Sequence, residues 1–191
     1  MPEKILLQAE ALSAIRGERV LFRAVDICAR AGDLVLIRGV NGSGKTTLLR
    51  QLAGLSQPAS GQVSDAARHH WLGHEMGLKV HETPYNHLQH WARVWGSQRD
   101  LTDILTTYGL TRSADIPVRY LSAGQKRRTA LARLALDTRA LWLLDEPLTA
   151  LDSEGQNLFC GLMRDHCAAG GAIVAAVHGD FRLTAQKEVR I

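Results

Sequence analysis

The stretch Gly39–Thr46, "GVNGSGKT", decides how the chain is read. It follows the apolar run "DLVLIR" and leads into "KTTLLRQLAGL", where Leu48, Leu49 and Leu52 share one helical side and Gly54 marks a stop. The eight positions satisfy G-x-x-x-x-G-K-[ST] between a strand and a helix, the context that gives this motif its meaning. A glycine-rich turn alone would be weak evidence; all eight positions with both flanks are specific. The glycines let the backbone curl until successive N–H groups point inward as a nest for phosphate oxygens. The helix starting near Lys45 adds the positive end of its dipole. The pattern predicts a nucleoside triphosphate site formed by Gly39, Val40, Asn41, Gly42, Ser43, Gly44, Lys45, Thr46 and Thr47. Lys45 is expected to bridge the β- and γ-phosphates, and the Thr46 hydroxyl to ligate Mg²⁺.

Outward from this loop, "KILLQAE", "RVLFRAVDI" and "DLVLIRG" read as strands separated by turns at Gly17 and Gly32. "RHHWLGH" is strand-like. Thr83 and Pro84 then open a helix through "PYNHLQHWARVW", and "LTDILTTYGL" forms a second, stopped by Gly109. "LWLLDE" and "AIVAAVH" are continuous apolar runs, the pattern of strands buried on both faces, with a helix from about Ser153 to Cys167 between them. Strand, helix, strand in that order argues for a parallel sheet flanked by helices. The helices between about Thr83 and Arg119 interrupt the alternation as an inserted helical subdomain. Asp145, at a strand end, is placed to hold Mg²⁺. Glu146 then falls beside the γ-phosphate, where it can orient and polarise the attacking water. His178, ending the last apolar strand, faces the ligand crevice of a parallel sheet and is expected to contact the γ-phosphate.

A chain of 191 residues with 46% apolar and 22% charged residues has room for one domain with a proper core and is not disordered. No apolar run approaches the roughly 18–20 residues needed to cross a bilayer. Glu3, Gln8 and Glu10 interrupt the stretch where a signal peptide would be apolar, so a cytoplasmic protein attached to membrane only through a partner is expected. Cys28, Cys160 and Cys167 show no metal or redox spacing and read as buried, reduced thiols. The formal charge of +4 is concentrated partly in Lys126, Arg127, Arg128 and Arg133. Without interleaved aromatics these read as a solvated or partner-facing surface, and no nucleic acid is expected. Six histidines lie between His69 and His90 in no ligand spacing, so they too read as solvated, with no metal beyond Mg²⁺.

"LSAGQ" (Leu121–Gln125) poses a separate question. It is a helix N-terminus suited to an anion, far along the chain from the phosphate loop. The ordered set of "GVNGSGKTT", "LSAGQ", "LWLLDEP", "LTALD" and His178 resembles the ATP-binding subunit of ABC transporters over nearly the whole chain. The resemblance implies an α/β P-loop NTPase core with a mainly parallel sheet and a small N-terminal antiparallel sheet. An inserted helical subdomain over about residues 76–136 would carry the signature turn, all within a single ATP-binding domain of residues 1–191. It also implies ATP hydrolysis with Mg²⁺ by a homodimer that forms head to tail on ATP binding. Ser122, Ala123, Gly124 and Gln125 would then act on the partner copy's ATP, and Asp152 would lie on the loop that crosses the dimer interface. Ala123 stands where most members have Gly, and Glu75, in "WLGHEMGLK", stands where a Gln usually contacts Mg²⁺ and the water. Glu75 is therefore a candidate Mg²⁺ ligand whose extra negative charge should slow hydrolysis. Ile15 and Arg16 occupy the position of the usual adenine-stacking aromatic.

Within the family, "LGHEMGLK", "DIPVRYLSAGQKRRTALARL" and "LWLLDEPLTALD" look like the haem-exporter ATPases of cytochrome c maturation. That implies integral membrane partners of the CcmB, CcmC and CcmD kind, release of a haem-loaded chaperone, and a peripheral place on the cytoplasmic face of the bacterial inner membrane. The alternatives are the ATPase of another ABC transporter and a non-transport ABC ATPase.

Overall fold

The computed structural model describes residues 4–191. The chain divides into two compact units. One comprises the described residues up to Gly73 with Arg139–Pro147 and Leu162–Ile191; the other comprises His74–Thr138 with Leu148–Gly161.

In the first unit, β1 (Ile5–Arg16) and β2 (Arg19–Arg30) form a hairpin, and β4 (Ser60–Ala66) pairs with the other edge of β1, all antiparallel. Alternation along β1 changes parity partway: Leu7 and Ala9 are buried, then Leu12 and Ala14. A bulge at Ala11, where φ is +50°, inserts the extra residue that keeps the apolar side chains on one face. The backbone amide it frees is satisfied, because Ala11 N–H donates to Asp26 Oδ1 at 2.7 Å.

The second sheet has the order β5-β6-β7-β3-β8 and is parallel throughout. Its strands are β3 (Leu34–Arg38), β5 (His69–Leu72), β6 (Leu141–Asp145), β7 (Ala172–Val177) and β8 (Lys187–Arg190). Every residue of β6 and β7 is buried, as continuous apolar runs require. Val35, Ile37, Leu141, Leu143 and Val174 pack with Leu48, Leu49 and Leu52 of α1 (Lys45–Leu52) and with Leu7, Leu12 and Ile27 from the antiparallel sheet. The α/β class, the mainly parallel sheet and the small antiparallel sheet are thus as expected. β4 and β8 carry no clear periodic signal. β8, "KEVR", is largely exposed and exists because the edge of β3 offers it a ladder.

The second unit is helical. Thr83 caps α2 (Pro84–Trp95) by accepting from Asn86 N–H at 3.1 Å, and Gly96 ends it in the left-handed conformation. Asp100 caps α3 (Leu101–Thr107). α4 (Ala123–Ala132) tightens into a 3₁₀ turn over Arg133–Ala135. The last helix, α5 (Ser153–Ala168), begins in this unit. No helix among the described residues is long and apolar enough to cross a membrane.

Two expectations about polar surface are corrected. His70 and His87 are not solvated, being 3% and 2% exposed. Nor is the basic run a solvated face, because α4 is buried around most of its circumference. Arg127 is buried, Arg128 is paired, and the Arg133 guanidinium lies 5.3 Å over the Trp91 ring. His87 Nε2 has no hydrogen-bond partner among the described residues, and its Nδ1 lies 3.9 Å from Glu82. Burial, aided by the Arg133 charge, pushes the His87 imidazole down from 6.5 to about 4.

The unfolded chain binds a proton at His87 below about pH 6.5, whereas the folded chain resists it until about pH 4. Stability present above the unfolded value is therefore lost as pH falls through that window. Thermal melts should give a lower Tm at pH 5 than at pH 7, and His87→Gln should narrow the gap. A variant with an undiminished gap would assign the acid sensitivity to other groups.

Candidate functional site

In a parallel sheet the carboxyl ends of all strands fall on one edge, and the first unit gathers its polar residues there. β3 ends at Arg38, and α1 begins at Lys45 after Gly42 (φ +80°) and Gly44 (φ +110°), left-handed positions that a side chain would strain. Gly39 is set by space instead: a Cβ there would lie 2.3 Å from the Ile191 carbonyl oxygen and 2.5 Å from Ser43 Oγ. The Lys45 ammonium is folded into the loop, donating to the Gly39 carbonyl at 2.8 Å and the Val40 carbonyl at 3.1 Å. Ser43 Oγ is buried and has no partner among the described residues.

Thr46 Oγ1 donates to Asp145 Oδ2 at 2.8 Å, joining the first turn of α1 to the end of β6. Glu146 keeps the ladder for one more bond, its N–H donating to the Ala176 carbonyl at 2.9 Å. Its φ of +46° then turns the chain away from the sheet at that residue. His178 follows β7, exposed, in a cleft of about 630 Å³ that it shares with Gly39, Val40, Asn41 and Arg190. The residues fit a Mg–nucleotide: an orphaned hydroxyl and a lysine face the loop, and Thr46 with Asp145 offers the hard oxygen donors that Mg²⁺ takes. A second cleft, of about 590 Å³, includes Gly32, Leu34 and Cys167 at the opposite ends of the strands and none of these groups. Burial pushes the Cys167 thiol there up to about 11, leaving it protonated at neutral pH.

The remaining sequence-predicted residues lie in the second unit. Ser122 and Gln125 form a reciprocal capping box at the start of α4: Gln125 N–H donates to Ser122 Oγ at 3.2 Å, and Ser122 N–H to Gln125 Oε1 at 2.9 Å. Ala123 and Gly124 are the first two helical residues, whose amides have no intrahelical acceptor. Ala123 needs no left-handed backbone, so its methyl is accommodated. Gly124 is tighter, since a Cβ would lie 3.2 Å from the Ala150 carbonyl oxygen. Asp152 accepts from Gly155 N–H at 2.9 Å at the start of α5 and from Arg128 Nη2 at 2.7 and 3.0 Å. The Gly155 amide, and then the Arg128 charge, hold the Asp152 carboxyl below its usual range. Glu75 sits in an exposed bend just past β5. Arg128 is the residue that sequence reasoning misassigned. Its signal was a position one helical turn past the signature, obscured by the neighbouring charges.

Comparison with known proteins gives the family. The family model for "ABC transporter" matches residues 22–149. The "Cytochrome c biogenesis ATP-binding export protein CcmA" of Hyphomonas neptunium is 52% identical over 183 residues, covering 95% of each chain. Proteins of the same name from Rhodopseudomonas palustris and Bradyrhizobium diazoefficiens are 42% and 45% identical over at least 90% of each chain. Among solved structures, a putative ABC transporter ATP-binding protein from Pyrococcus furiosus superposes with a TM-score of 0.82 at 18% identity, covering 96% of both chains.

Gly39→Ala would press a methyl group onto a backbone carbonyl and a buried hydroxyl. It should weaken binding of a fluorescent ATP analogue by at least about tenfold, roughly 1.4 kcal/mol, with far-UV circular dichroism unchanged. Wild-type affinity would mean that the Ile191 end moves aside at no cost.

Proposed function

The chain belongs to the ABC transporter family of ATP-hydrolysing subunits, within the cytochrome c biogenesis ATP-binding export proteins, and we propose that it powers a membrane complex for c-type cytochrome maturation. The observation that carries the proposal is 52% identity over 95% of both chains to a protein of that name. In this reading the chain lies peripherally on the cytoplasmic face of the inner membrane. It works as a head-to-tail homodimer with separate membrane subunits of the CcmB, CcmC and CcmD kind. Each ATP cycle drives haem export or the release of a haem-loaded chaperone.

The residues divide the work as follows. On ATP binding, Lys45 exchanges the Gly39 and Val40 carbonyls for the β- and γ-phosphates, while the Gly39–Thr47 amides and the Ser43 hydroxyl surround the phosphate oxygens. Thr46 and Asp145 would hold Mg²⁺, with Glu75 a candidate further ligand, and the ion would supply neutralisation of phosphate charge. Glu146 orients and polarises the attacking water, and His178 contacts the γ-phosphate. The Ser122 hydroxyl and the Gly124 amide of one copy bind the γ-phosphate of the other copy's ATP, flanked by Ala123 and Gln125. Asp152, fixed by Gly155 and Arg128, crosses between the copies. Closure thus depends on a γ-phosphate that two chains share, and cleaving it releases them.

Deleting the gene should abolish haem-stained c-type cytochromes, with rescue by wild type and none by Lys45→Ala. Unchanged staining would leave the ATPase assignment standing and refute the maturation role.

In this reading Glu75 adds negative charge near the γ-phosphate, so Glu75→Gln should raise ATP turnover several-fold at saturating Mg²⁺. A variant no faster than wild type would exclude Glu75 as a brake.

A further inference from the structure

We propose that Arg38 is a positioning residue for hydrolysis: it clamps the turn carrying His178 to the strand that launches the phosphate loop. The inference rests on the reading of His178 as a γ-phosphate contact. Arg38 is the last residue of β3, immediately before Gly39, and β3 runs between β7 and β8. Its guanidinium spans both neighbours. Nε donates to Glu188 Oε1 of β8 at 2.8 Å, and Nη1 donates to the carbonyl of Gly179, the residue after His178.

The sheet register explains how one side chain reaches both. Arg38 lies opposite Val177 on one side and Arg190 on the other, while Glu188 lies opposite Leu36 and so shares the face from which Arg38 emerges. The other Glu188 oxygen lies 4.0 Å from Arg190 Nη2. The Arg38 and Glu188 side chains are 25% and 38% exposed, so water competes only partly for the pair.

The captured carbonyl belongs to the second residue beyond the Val177 end of β7. Anchoring it limits how far the His178 backbone can drift from Gly39, and the two segments line one cleft. The two bonds leave from separate nitrogens of one planar fork, a donor spacing that a lysine ammonium, whose donors share one nitrogen, does not reproduce. Nε and Nη1 serve Glu188 and Gly179, which leaves the Nη2 hydrogens over; Arg38 also lines the cleft, so action through His178 is separated from direct contact with phosphate by the His178→Ala background.

Hydrogen exchange on the full chain tests the clamp without reference to activity. Arg38→Met and Arg38→Lys should each raise exchange in the 178–181 peptide about tenfold, roughly 1.4 kcal/mol of local opening. ATP turnover is then measured in the complex recovered through a tag on this chain. Arg38→Met should lower kcat by about ten- to a hundredfold with nucleotide Kd unchanged, and should cause no further loss in a His178→Ala background. Unchanged exchange, full turnover in Arg38→Lys, or an equal fold-loss in both backgrounds would each overturn the proposal. Wild-type turnover in His178→Ala would instead refute the role given to His178, while the exchange result still decides whether the clamp exists.

Discussion

The hydrogen bond from Thr46 to Asp145 is the constraint on which the first unit's chemistry depends. It joins residues 99 positions apart in the chain and can form only if β3 and β6 end on the same edge of one sheet. Parallel pairing supplies that condition, and complete burial of β6 and β7 makes the pairing stable. The site is therefore a by-product of the core. The residues that fill the sheet are the ones that aim the phosphate loop, Asp145, Glu146 and His178 at a common edge.

The helix N-terminus at Ser122 is organised within the helical unit by different means. There the capping box at Ser122 prepares a helix N-terminus, and Arg128 fastens Asp152 beside the start of α5. In the proposed head-to-tail dimer, a signature turn and a crossing loop held together in this way would not need to be ordered when the copies meet. Gly124 belongs to the same arrangement, because the space its Cβ would take lies against the Ala150 carbonyl.

Several polar side chains that residue type alone would place in water are buried, among them His70, His87 and Arg127. His87 sits neutral in the helical unit with Arg133 close enough to influence it, and Arg133 in turn lies over Trp91. Removing an imidazole from water disfavours its charged form, and a neighbouring cation disfavours it further. The helical unit thus carries an acid-sensitive interior in place of the solvated histidine surface that residue type alone suggests.

Sequence by itself determined what is local. Glycine spacing gives the loop its curl, Thr83 caps its helix, and continuous apolar runs specify strands buried on both faces; each depends on neighbours within a few residues. The motif order was equally legible and carried the family with it. Tertiary structure alone decided which polar side chains meet. Nothing in "KEVR" announces a strand, because its pairing comes from the free edge of β3. Nothing in "QKRRTALARL" separates Arg128 from Lys126, because the carboxylate that Arg128 grips lies 24 residues on. Charged side chains have no sequence periodicity that encodes their partners, and whether water or a carboxylate receives them is settled only when distant segments pack.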